Sequence, residues 1–511
     1  MLVKTYGSSV YGIKATKITV EVNVVTGFGL FLVGLPDNAV KESQHRIESA
    51  LMAYHYKMPG KKIVVNMAPA DIRKEGSAYD LTLAVGILAA NEQVNSEKLS
   101  KYLIMGELSL DGGLQPIKGV LPIALNAVEE GFEGIIIPVQ NAREAAVVSN
   151  LKVYGLENIG QVIDFLNGKS NFKPKFVDIN KEFEAATIEN ELDFSDVKGQ
   201  EKVKRALEVA AAGGHNVIMI GPPGAGKTMM AKRVAGILPP LTLQEALETT
   251  KIHSIAGKIS QDTSLITHRP FRSPHHTISD VALVGGGTFP QPGEISLAHN
   301  GVLFLDELPE FRRVVLEVLR QPLEDRKITI SRAKFSIEYP ASCMLVSSMN
   351  PCPCGYHNHP EKQCVCPPGM VKKYLNRISG PLLDRIDLHI EIVPVPIGDL
   401  AIATPSESSA SIRERVVKAR QIQSERFKKD KIYCNAQMNS KQLSKYVKLN
   451  EAGQLMLSNA AEKLGLSARA YDRIKKVART IADLEGSDAI MNHHIAEAIQ
   501  YRTLDRESWA G

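Results

Sequence analysis

A glycine-rich loop between a short apolar run and a helix-forming run constrains the fold of this chain more than any other feature. Residues 216–228 read NVIMIGPPGAGKT. The glycines permit a backbone path that turns successive N–H groups inward, so a di- or triphosphate can bind at the positive end of a helix. This order of strand, loop and helix is the context in which a Walker A match is specific. The predicted nucleotide-binding residues are Gly221, Pro222, Pro223, Gly224, Ala225, Gly226, Lys227 and Thr228.

Two side chains of this loop have distinct expected roles. Lys227 is expected to reach the β- and γ-phosphates of bound ATP, and Thr228 to offer its hydroxyl to Mg²⁺. The alternative is a glycine-rich turn that fits the pattern by chance, and it does not explain the strand and helix on either side. The sequence therefore predicts that the chain binds a nucleoside triphosphate with Mg²⁺.

A second pair of strand ends carries polar residues downstream of the loop. Residues 302–305 are continuously apolar, as a strand buried on both faces should be, and Asp306 and Glu307 follow them. Asp306 is expected to hold Mg²⁺ through its water shell, and Glu307 to orient and polarise the attacking water. Another strand is predicted at 343–348, followed by Asn350. An isolated Asn after a strand is more often a turn residue, but its alignment with two Walker motifs favours a contact with the γ-phosphate.

Four further segments resemble one known family. They are 272–287 (RSPHHTISDVALVGGG), 292–301 (PGEISLAHNG), 349–355 (MNPCPCG) and 379–389 (SGPLLDRIDLH). With the Walker motifs they resemble the magnesium-chelatase-like AAA+ ATPases of the ComM/YifB type, over nearly the whole chain. The resemblance implies an α/β protein with three parts. These are an N-terminal Lon-protease-like α+β domain of the ribosomal S5 domain 2 type, a P-loop AAA+ domain with a parallel sheet, and a C-terminal α-helical lid.

The same resemblance implies a shared ATP site. In such modules an arginine of one subunit completes the ATP site of the next, and Arg385 in the segment LLDRID matches that finger. Arg469 matches the sensor 2 arginine of the helical lid. A guanidinium at the γ-phosphate is worth roughly 10³ to 10⁵ in rate. Arg377 and Arg473 are expected to be exposed or structural. The predicted catalytic residues are Glu307, Asn350, Arg385 and Arg469.

Four of the six cysteines are crowded into residues 352–366. They are Cys352, Cys354, Cys364 and Cys366. Four thiolates in two close pairs can close a tetrahedron around Zn²⁺ at about 2.3 Å, which leaves no position open for catalysis. His357 and His359 lie between the pairs as substitute ligands, and a reducible cysteine cluster is the alternative to zinc. Cys343 and Cys434 are isolated and are expected to be ordinary buried cysteines.

Composition and resemblance together suggest domain boundaries. The predicted parts are a Lon-like domain at 1–167, a polar linker at 168–192, the AAA+ domain at 193–398 with its cysteine knuckle at 352–366, and the lid at 412–507. Within the first domain, alternating runs at 18–25 and 62–67 predict strands. Residues 40–54 and 79–90 predict helices.

The first domain resembles the proteolytic domain of Lon through two segments, 74–80 (KEGSAYD) and 106–119 (GELSLDGGLQPIKG). Lon uses a Ser-Lys dyad in which the lysine removes the serine proton. Superposing the motifs places Ala78 at the nucleophile position and Leu121 at the lysine position. Ser77 and Lys118 would form a dyad only if both shifted register. We therefore expect a domain without proteolytic activity that supports assembly or binds a protein partner.

Charge and hydropathy exclude some classes of function. The chain has 511 residues, and 44% apolar residues suffice for several cores. It has no apolar run of membrane-spanning length, and residues 1–7 lack the long apolar stretch typical of a signal peptide, so a cytoplasmic location is expected. The net charge of +5 does not by itself indicate a nucleic-acid partner. Residues 412–448 carry eleven Lys or Arg against three acidic residues, and both a solvated basic helix face and a phosphate-contacting face remain open.

Residues 323–339 read as two alternating strands, and in the related motors this position is a hairpin that points into the pore of a hexamer. Its cations, the expected contacts to a DNA backbone, are Arg326, Lys327, Arg332 and Lys334. The resemblance therefore implies an ATP-driven hexameric helicase on single-stranded or branched DNA, which like ComM extends heteroduplex by branch migration during natural transformation. The alternative is a protein-remodelling ATPase, chelatase-like or Lon-like. Stimulation of ATP hydrolysis by DNA, or only by a protein, discriminates between them.

Overall fold

In the computed structural model, the apolar runs before the glycine-rich loop and before Asp306 are inner strands of one parallel sheet. Its described strands lie in the order Phe271–Arg272, Val302–Leu305, Met344–Met349, Val217–Ile220 and Leu388–Glu391. Every residue of the three inner strands is buried, as expected for a sheet covered on both faces. Because the strands are parallel, their carboxyl ends meet at one edge of the sheet.

The structure describes residues 1–186, 192–287, 290–332, 335–359, 361–395, 406–430 and 432–502. The chain divides into two compact units. The first comprises Met1–Ala186, Leu243–Thr267 and Ser331–Glu338, and the second comprises Thr187–Thr242, His268–Ile330 and Tyr339–Gly511. Both units are discontinuous in sequence, whereas the predicted domains follow the chain. The domain boundaries expected from sequence therefore stay predictions.

Helices surround the parallel sheet of the second unit and form its lid. Those around the sheet are Glu201–Gly213, Lys227–Ile237, Asp280–Val284, Glu294–Leu297, Arg313–Val318, Arg320–Asp325, Met370–Leu375 and Gly380–Leu383; those of the lid are Ser409–Arg426, Ser440–Tyr446, Glu451–Leu464, Ala468–Leu484 and Asn492–Gln500. In the lid helix Ala468–Leu484, Ser467 caps the first turn by accepting the N–H of Ala470. Ile474, Val477 and Ile481 recur at helical spacing and are buried on one face.

A buried polar network connects the lid to the sheet within this unit. Arg473 of the lid forms an ion pair with Asp387, whose carboxylate also accepts the N–H of Asn216 at 2.9 Å. His215 shares a hydrogen bond of 2.8 Å with Thr480. Although burial by itself raises the pKa of Asp387, the Arg473 guanidinium and His215 hold that pKa well below its usual range. Arg473 is therefore structural, as its sequence context indicated.

The first unit contains the strands and helices expected near the amino terminus. A four-stranded sheet has the order Leu2–Tyr11, Lys14–Val25, Lys62–Ala68 and Leu30–Val33, and a three-stranded parallel sheet pairs Tyr102–Ile104, Gly134–Pro138 and Lys152–Leu156. Ile18, Val20 and Val22 alternate toward the core and are fully buried. The predicted strands and helices of this region are confirmed, and the largest difference is at the strand predicted for 18–25, which begins four residues earlier, at Lys14.

The remaining elements are helices of the first unit and short two-stranded pairs. In the first unit these helices are Asn38–Ala53, Asp80–Ala90, Val120–Glu129, Ala142–Ala145, Ile159–Leu166, Ile179–Ala186 and Leu243–Ile255. Short two-stranded pairs are Glu107–Leu108 with Leu114–Gln115, Gly285–Gly286 with Gln291–Pro292, and Lys327–Arg332 with Phe335–Pro340. Within the described residues, no helix has the length and apolar character needed to cross a membrane.

Candidate nucleotide site

The glycine-rich loop has a backbone that requires glycine at several positions. Gly224 and Gly226 have φ values of 81° and 83°, in the left-handed region that other residues avoid. At Gly221 a Cβ atom would lie 2.5 Å from the carbonyl oxygen of Ile392, so the backbone approach leaves no room for a side chain. The helix Lys227–Ile237 begins directly after the loop. Its free N–H groups and positive dipole end therefore face the loop.

Lys227 is held at the mouth of the loop by neutral acceptors. Its Nζ donates to the carbonyl oxygens of Gly221 and Pro222 at 2.7 and 2.9 Å, and to Oδ1 of Asn350 at 3.1 Å. The side chain is 9% exposed. Burial lowers the pKa of Lys227, while the carboxylates of Asp306 and Glu307 oppose that effect. An ammonium so placed can exchange carbonyl partners for phosphate oxygens.

Asp306 accepts hydrogen bonds from a helix, from a neighbouring strand and from the residue that follows it. Its Oδ2 accepts the Thr228 hydroxyl at 2.7 Å, and its Oδ1 accepts the hydroxyl of Ser348 and the N–H of Glu307, the latter at 3.1 Å. A carboxylate beside a hydroxyl is a ligand set that suits Mg²⁺. Sequence reasoning did not single out Ser348. Ser348 is the second of two adjacent serines near the end of the strand Met344–Met349.

Glu307 stands at the solvent side of the same edge. It has a left-handed backbone, with φ of 53°, and its side chain is 55% exposed. Its Oε2 lies 3.8 Å from Nδ1 of His276, whose ring packs against His275 with centroids 4.0 Å apart. Water can reach the Glu307 carboxylate in this position. Sequence reasoning also missed His276, which follows the short edge strand Phe271–Arg272.

The two arginines predicted to be catalytic, Arg385 and Arg469, have no recorded hydrogen bond or ion pair with the glycine-rich loop in the described part of the chain. Arg385 is 7% exposed and donates to the carbonyl oxygen of Pro381 at 2.7 Å and to the carboxylate of Glu324. Arg469 is exposed in the first turn of the helix Ala468–Leu484. The structure thus brings together Lys227, Thr228, Asp306 and Asn350 within one chain, without either arginine.

The four clustered cysteines lie close enough to share one metal ion. Their Sγ atoms all lie within 4.8 Å of one another; Cys352 is 3.3 Å from Cys354 and 3.8 Å from Cys364, and Cys354 is 3.6 Å from Cys364. A tetrahedron with Zn–S bonds of about 2.3 Å has edges of about 3.8 Å, so the donor set fits Zn²⁺. His359 Nδ1 instead accepts the N–H groups of Glu361 and Lys362 at 3.0 Å.

The cations expected to meet DNA are only partly described. Arg326 ends the helix Arg320–Asp325 in a left-handed conformation and is half-buried, and Lys327 is exposed at the start of the hairpin strand. The side chain of Arg332 and the whole of Lys334 lie outside the described residues.

The basic helix Ser409–Arg426 directs several cations to partners within its own unit. Arg415 pairs with Glu208 and Glu407, Arg420 donates to the carbonyl oxygen of Ala211 at 3.0 Å, and Arg426 pairs with Asp483. Arg415 and Arg420 join this helix to the helix Glu201–Gly213 beside the sheet, and Arg426 joins it to the lid helix Ala468–Leu484. They therefore form neither a purely solvated face nor a face free for phosphate.

The structure gives Ser77 and Lys118 separate surroundings in the first unit. The Ser77 hydroxyl donates to the carboxylate of Glu107. Lys118 packs over Gly257, where a Cβ atom would lie 2.8 Å from Lys118 Cε. A serine bonded to a carboxylate has no base of the kind that the Lon dyad requires. The expectation of a domain without proteolytic activity stays a prediction that these contacts favour.

The sheet order, the Walker residues at its carboxyl edge and the helical lid define an AAA+ protein of the magnesium-chelatase class. Residues 193–400 match the family described as magnesium chelatase, subunit ChlI; residues 20–141 match subunit ChlI of Mg-chelatase, and 406–502 match the ChlI C-terminal family. Competence protein ComM of Haemophilus influenzae is 47% identical over 98% of this chain and 97% of its own length. The chain belongs to the magnesium-chelatase-like AAA+ family that includes ComM and YifB.

Two further relatives extend this comparison. YifB of Escherichia coli is 45% identical over 97% of this chain and 96% of its own length. Lon protease 2 of Bacillus subtilis is 33% identical over 159 residues, which cover 28% of this chain and 27% of the protease. The resemblance to the ComM/YifB family is therefore confirmed along the whole chain, and Lon-like similarity is confirmed for part of it.

Proposed function

We propose that this protein is an ATP-hydrolysing, ring-forming motor that acts on DNA. The observation that carries the proposal is the convergence of Lys227, Thr228, Asp306 and Asn350 at one edge of the parallel sheet. Lys227 and the loop N–H groups bind the phosphates of ATP. Thr228 and Asp306 hold Mg²⁺, which neutralises the charge on the transferred phosphoryl group.

Hydrolysis needs a group that orients the attacking water, and Glu307 is the carboxylate exposed beside this cluster. Asn350 already contacts Lys227, so its amide is within reach of a γ-phosphate bound by that lysine. Arg385 and Arg469 stabilise the developing charge when subunits assemble. Phosphoryl transfer is mostly positioning and electrostatic stabilisation, which these groups supply without a covalent intermediate.

DNA is the proposed polymer substrate, in single-stranded or branched form, and a hexamer the proposed assembly. Two features support the choice: the hairpin that begins with Arg326 and Lys327, and similarity over the whole chain to a protein named for competence. The proposed reaction is branch migration of recombining strands in the cytoplasm. The first unit, whose Ser77 is engaged by Glu107, is proposed to support assembly or to bind a protein partner.

The proposed cofactors are ATP, Mg²⁺ and one structural Zn²⁺ bound by Cys352, Cys354, Cys364 and Cys366. The sulfur separations support zinc over a disulfide-forming cluster, because four sulfurs surround one point. When bound, zinc supplies no chemistry to hydrolysis. It fixes the knuckle in one conformation.

The test is phosphate release by the purified full chain, with and without single-stranded or four-way branched DNA. We expect basal hydrolysis that rises several-fold with DNA and needs Mg²⁺. Displacement of a strand from a branched substrate should require ATP. Hydrolysis that ignores DNA and rises only with a protein would instead support a protein-remodelling ATPase.

A further inference from the structure

The cysteine knuckle, residues 352–366, has no regular secondary structure in its described residues to fix its conformation. Among its described residues, 352–359 and 361–366, there is no helix or strand. Its inner end is Cys352, which is fully buried and accepts the N–H of His357 at 3.3 Å on its sulfur. The four sulfurs are the feature that draws the two ends of the loop together. The conformation of this loop therefore depends on what binds those sulfurs.

The knuckle backbone lies directly against the glycine-rich loop. Gly355 has φ of 85°, and a Cβ atom there would lie 2.6 Å from Cδ and 3.1 Å from Cγ of Pro223. Backbone approaches this close require glycine. The Pro223 ring is thus in contact with the knuckle on one side, while on the other it belongs to the turn whose N–H groups are proposed to bind phosphate.

Two further links run between the knuckle and the nucleotide site. One small cavity is lined both by Pro222 and by His357, Asn358 and His359 of the knuckle. In the chain itself, Asn350 precedes Cys352 by two residues, and Asn350 Oδ1 accepts from Lys227 Nζ at 3.1 Å. A shift of the knuckle therefore moves both the wall of the loop and the amide that contacts its lysine.

We propose that the metal-bound knuckle positions the phosphate loop, so that nucleotide affinity depends on occupancy of the four-cysteine site. This inference rests on the proposed nucleotide and zinc sites and adds a coupling between them. With zinc bound, Gly355 supports Pro223 and Asn350 stays beside Lys227. Without zinc, the loop gains conformational freedom, and part of the binding free energy of ATP is spent on ordering the site.

Two variants separate this contact from metal binding itself. Pro223→Ala removes the ring that meets the knuckle but leaves all four cysteines. Gly355→Ala adds a methyl group where Pro223 lies and also leaves the cysteines. Both should keep about one Zn²⁺ per chain and bind nucleotide about tenfold more weakly, the size of effect seen when a supporting residue around a site is lost. Val365→Ser is the matched control, because Val365 is 79% exposed on the same loop.

The experiment measures the Kd of a fluorescent ADP analogue for the full chain, together with zinc content and thermal unfolding. Chelated wild type and Cys364→Ser should bind about tenfold more weakly, and added zinc should restore only the wild type. The coupling is overturned if the Kd for the analogue is unchanged after zinc removal, even where thermal stability falls. It is also overturned if Pro223→Ala and Gly355→Ala both retain zinc and bind the analogue as tightly as wild type. Wild type isolated without zinc overturns it as well. Failure of zinc-loaded wild type to bind the analogue would contradict the proposed nucleotide site itself.

Discussion

At the residue scale, the chemistry of the site is a balance of burial against charge. Burial lowers the pKa of Lys227, and only the nearby carboxylates of Asp306 and Glu307 oppose it. Its hydrogen-bond acceptors, Gly221, Pro222 and Asn350, are neutral. A bound triphosphate brings several negative charges to this ammonium and so compensates for the hydration that burial removed. The lysine is therefore arranged to contribute to binding before any reaction occurs.

This arrangement predicts different losses for the two charged residues of the site. Lys227→Ala should abolish measurable nucleotide binding, because the loop loses its only side-chain cation. Glu307→Gln should bind ATP normally and hydrolyse it about 10² to 10⁴ times more slowly, the usual contribution of a general base. Nucleotide titration beside a phosphate-release assay separates the two effects. Lys232→Ala, an exposed lysine of the same helix, is the control, and normal turnover by Glu307→Gln would remove that residue from the mechanism.

A second residue-scale prediction concerns the stability of the lid. Asp387 is buried between Arg473 and His215, so Asp387→Asn leaves the partly buried Arg473 guanidinium without its charged partner. The loss should be about 3–5 kcal/mol in the unfolding transition of this unit. Asp384→Asn, a partly exposed carboxylate three positions earlier, should change stability by no more than about 0.5 kcal/mol.

The same aspartate gives the wild type a pH dependence of known sign. The pKa of Asp387 is lower in the folded than in the unfolded protein, so its stabilisation is fully present above the unfolded value of about 3.9 and declines as pH falls below it. Acid should therefore destabilise the wild type more steeply than Asp387→Asn. Thermal unfolding of both proteins between neutral pH and pH 3 measures this difference, and parallel curves would contradict the role of the ion pair.

At the element scale, the hairpin is the part of the molecule proposed to follow a DNA backbone. Lys327 is exposed at its first strand, and Arg326 precedes it at the end of a helix. Lys327→Ala should weaken binding equally for different DNA sequences and reduce the salt dependence of the Kd by about 0.7 log units per log unit of salt for each lost contact to single-stranded DNA. Fluorescence anisotropy across a salt series measures this slope. Lys463→Ala removes an equivalent charge from the lid and should leave the slope unchanged.

The strands and the Walker residues could be predicted because elementary geometry places them. Apolar runs of four to six residues become buried parallel strands, and parallel strands end at one edge. The contacts between Lys227 and Asn350 and between Thr228 and Asp306 follow from that rule. The roles of Ser348 and His276 could not be predicted in this way. Each has its role because the fold brings a carboxylate, that of Asp306 or of Glu307, to it from another segment of the chain.

The assignment of the segment Leu243–Thr267 to the first unit depends on tertiary packing and could not be predicted from the sequence. The segment Leu243–Thr267 clusters with the first unit although it lies between two strands of the second. Its helix Leu243–Ile255 contributes to that unit through Ser254, which donates to the buried Glu144. Burial raises the pKa of Glu144, and the Ser254 hydroxyl opposes the rise. A pairing across more than one hundred residues leaves no periodic signal in the sequence.

At the scale of the whole molecule, a single chain holds an incomplete set of the proposed catalytic groups. Lys227, Thr228, Asp306 and Asn350 converge, and Glu307 is exposed beside them. In contrast, Arg385 is bonded to Glu324 elsewhere on the chain. A further cation beside the developing charge on a γ-phosphate speeds hydrolysis by roughly 10³ to 10⁵. We therefore expect a neighbouring subunit to complete the site by presenting its arginine.

The last prediction tests this requirement directly, by mixing two inactive variants. Arg385→Ala keeps an intact glycine-rich loop, and Lys227→Ala keeps an intact arginine. Each alone should hydrolyse ATP at least 10³-fold more slowly than wild type. Combined under conditions that allow subunit exchange, with ATP and DNA to favour closed rings by mass action, they should regain a measurable fraction of the wild-type rate. The recovered activity would arise at interfaces where the intact glycine-rich loop of one subunit lies beside the intact Arg385 of another.

Arg377→Ala is the matched control for this experiment, because Arg377 is an exposed arginine of a neighbouring segment that pairs with Glu310. Arg377→Ala should hydrolyse ATP at the wild-type rate by itself. Mixing it with Lys227→Ala should therefore give no gain in rate over Arg377→Ala alone. If instead Arg385→Ala retains full activity as a monomer, hydrolysis does not depend on an arginine supplied by a neighbour, and the ring is not needed for it. The proposed pore role of the hairpin would then lose its basis, since a backbone-tracking channel exists only between subunits. Recovery in the mixture, with sedimentation showing oligomers, places the active site at the interface.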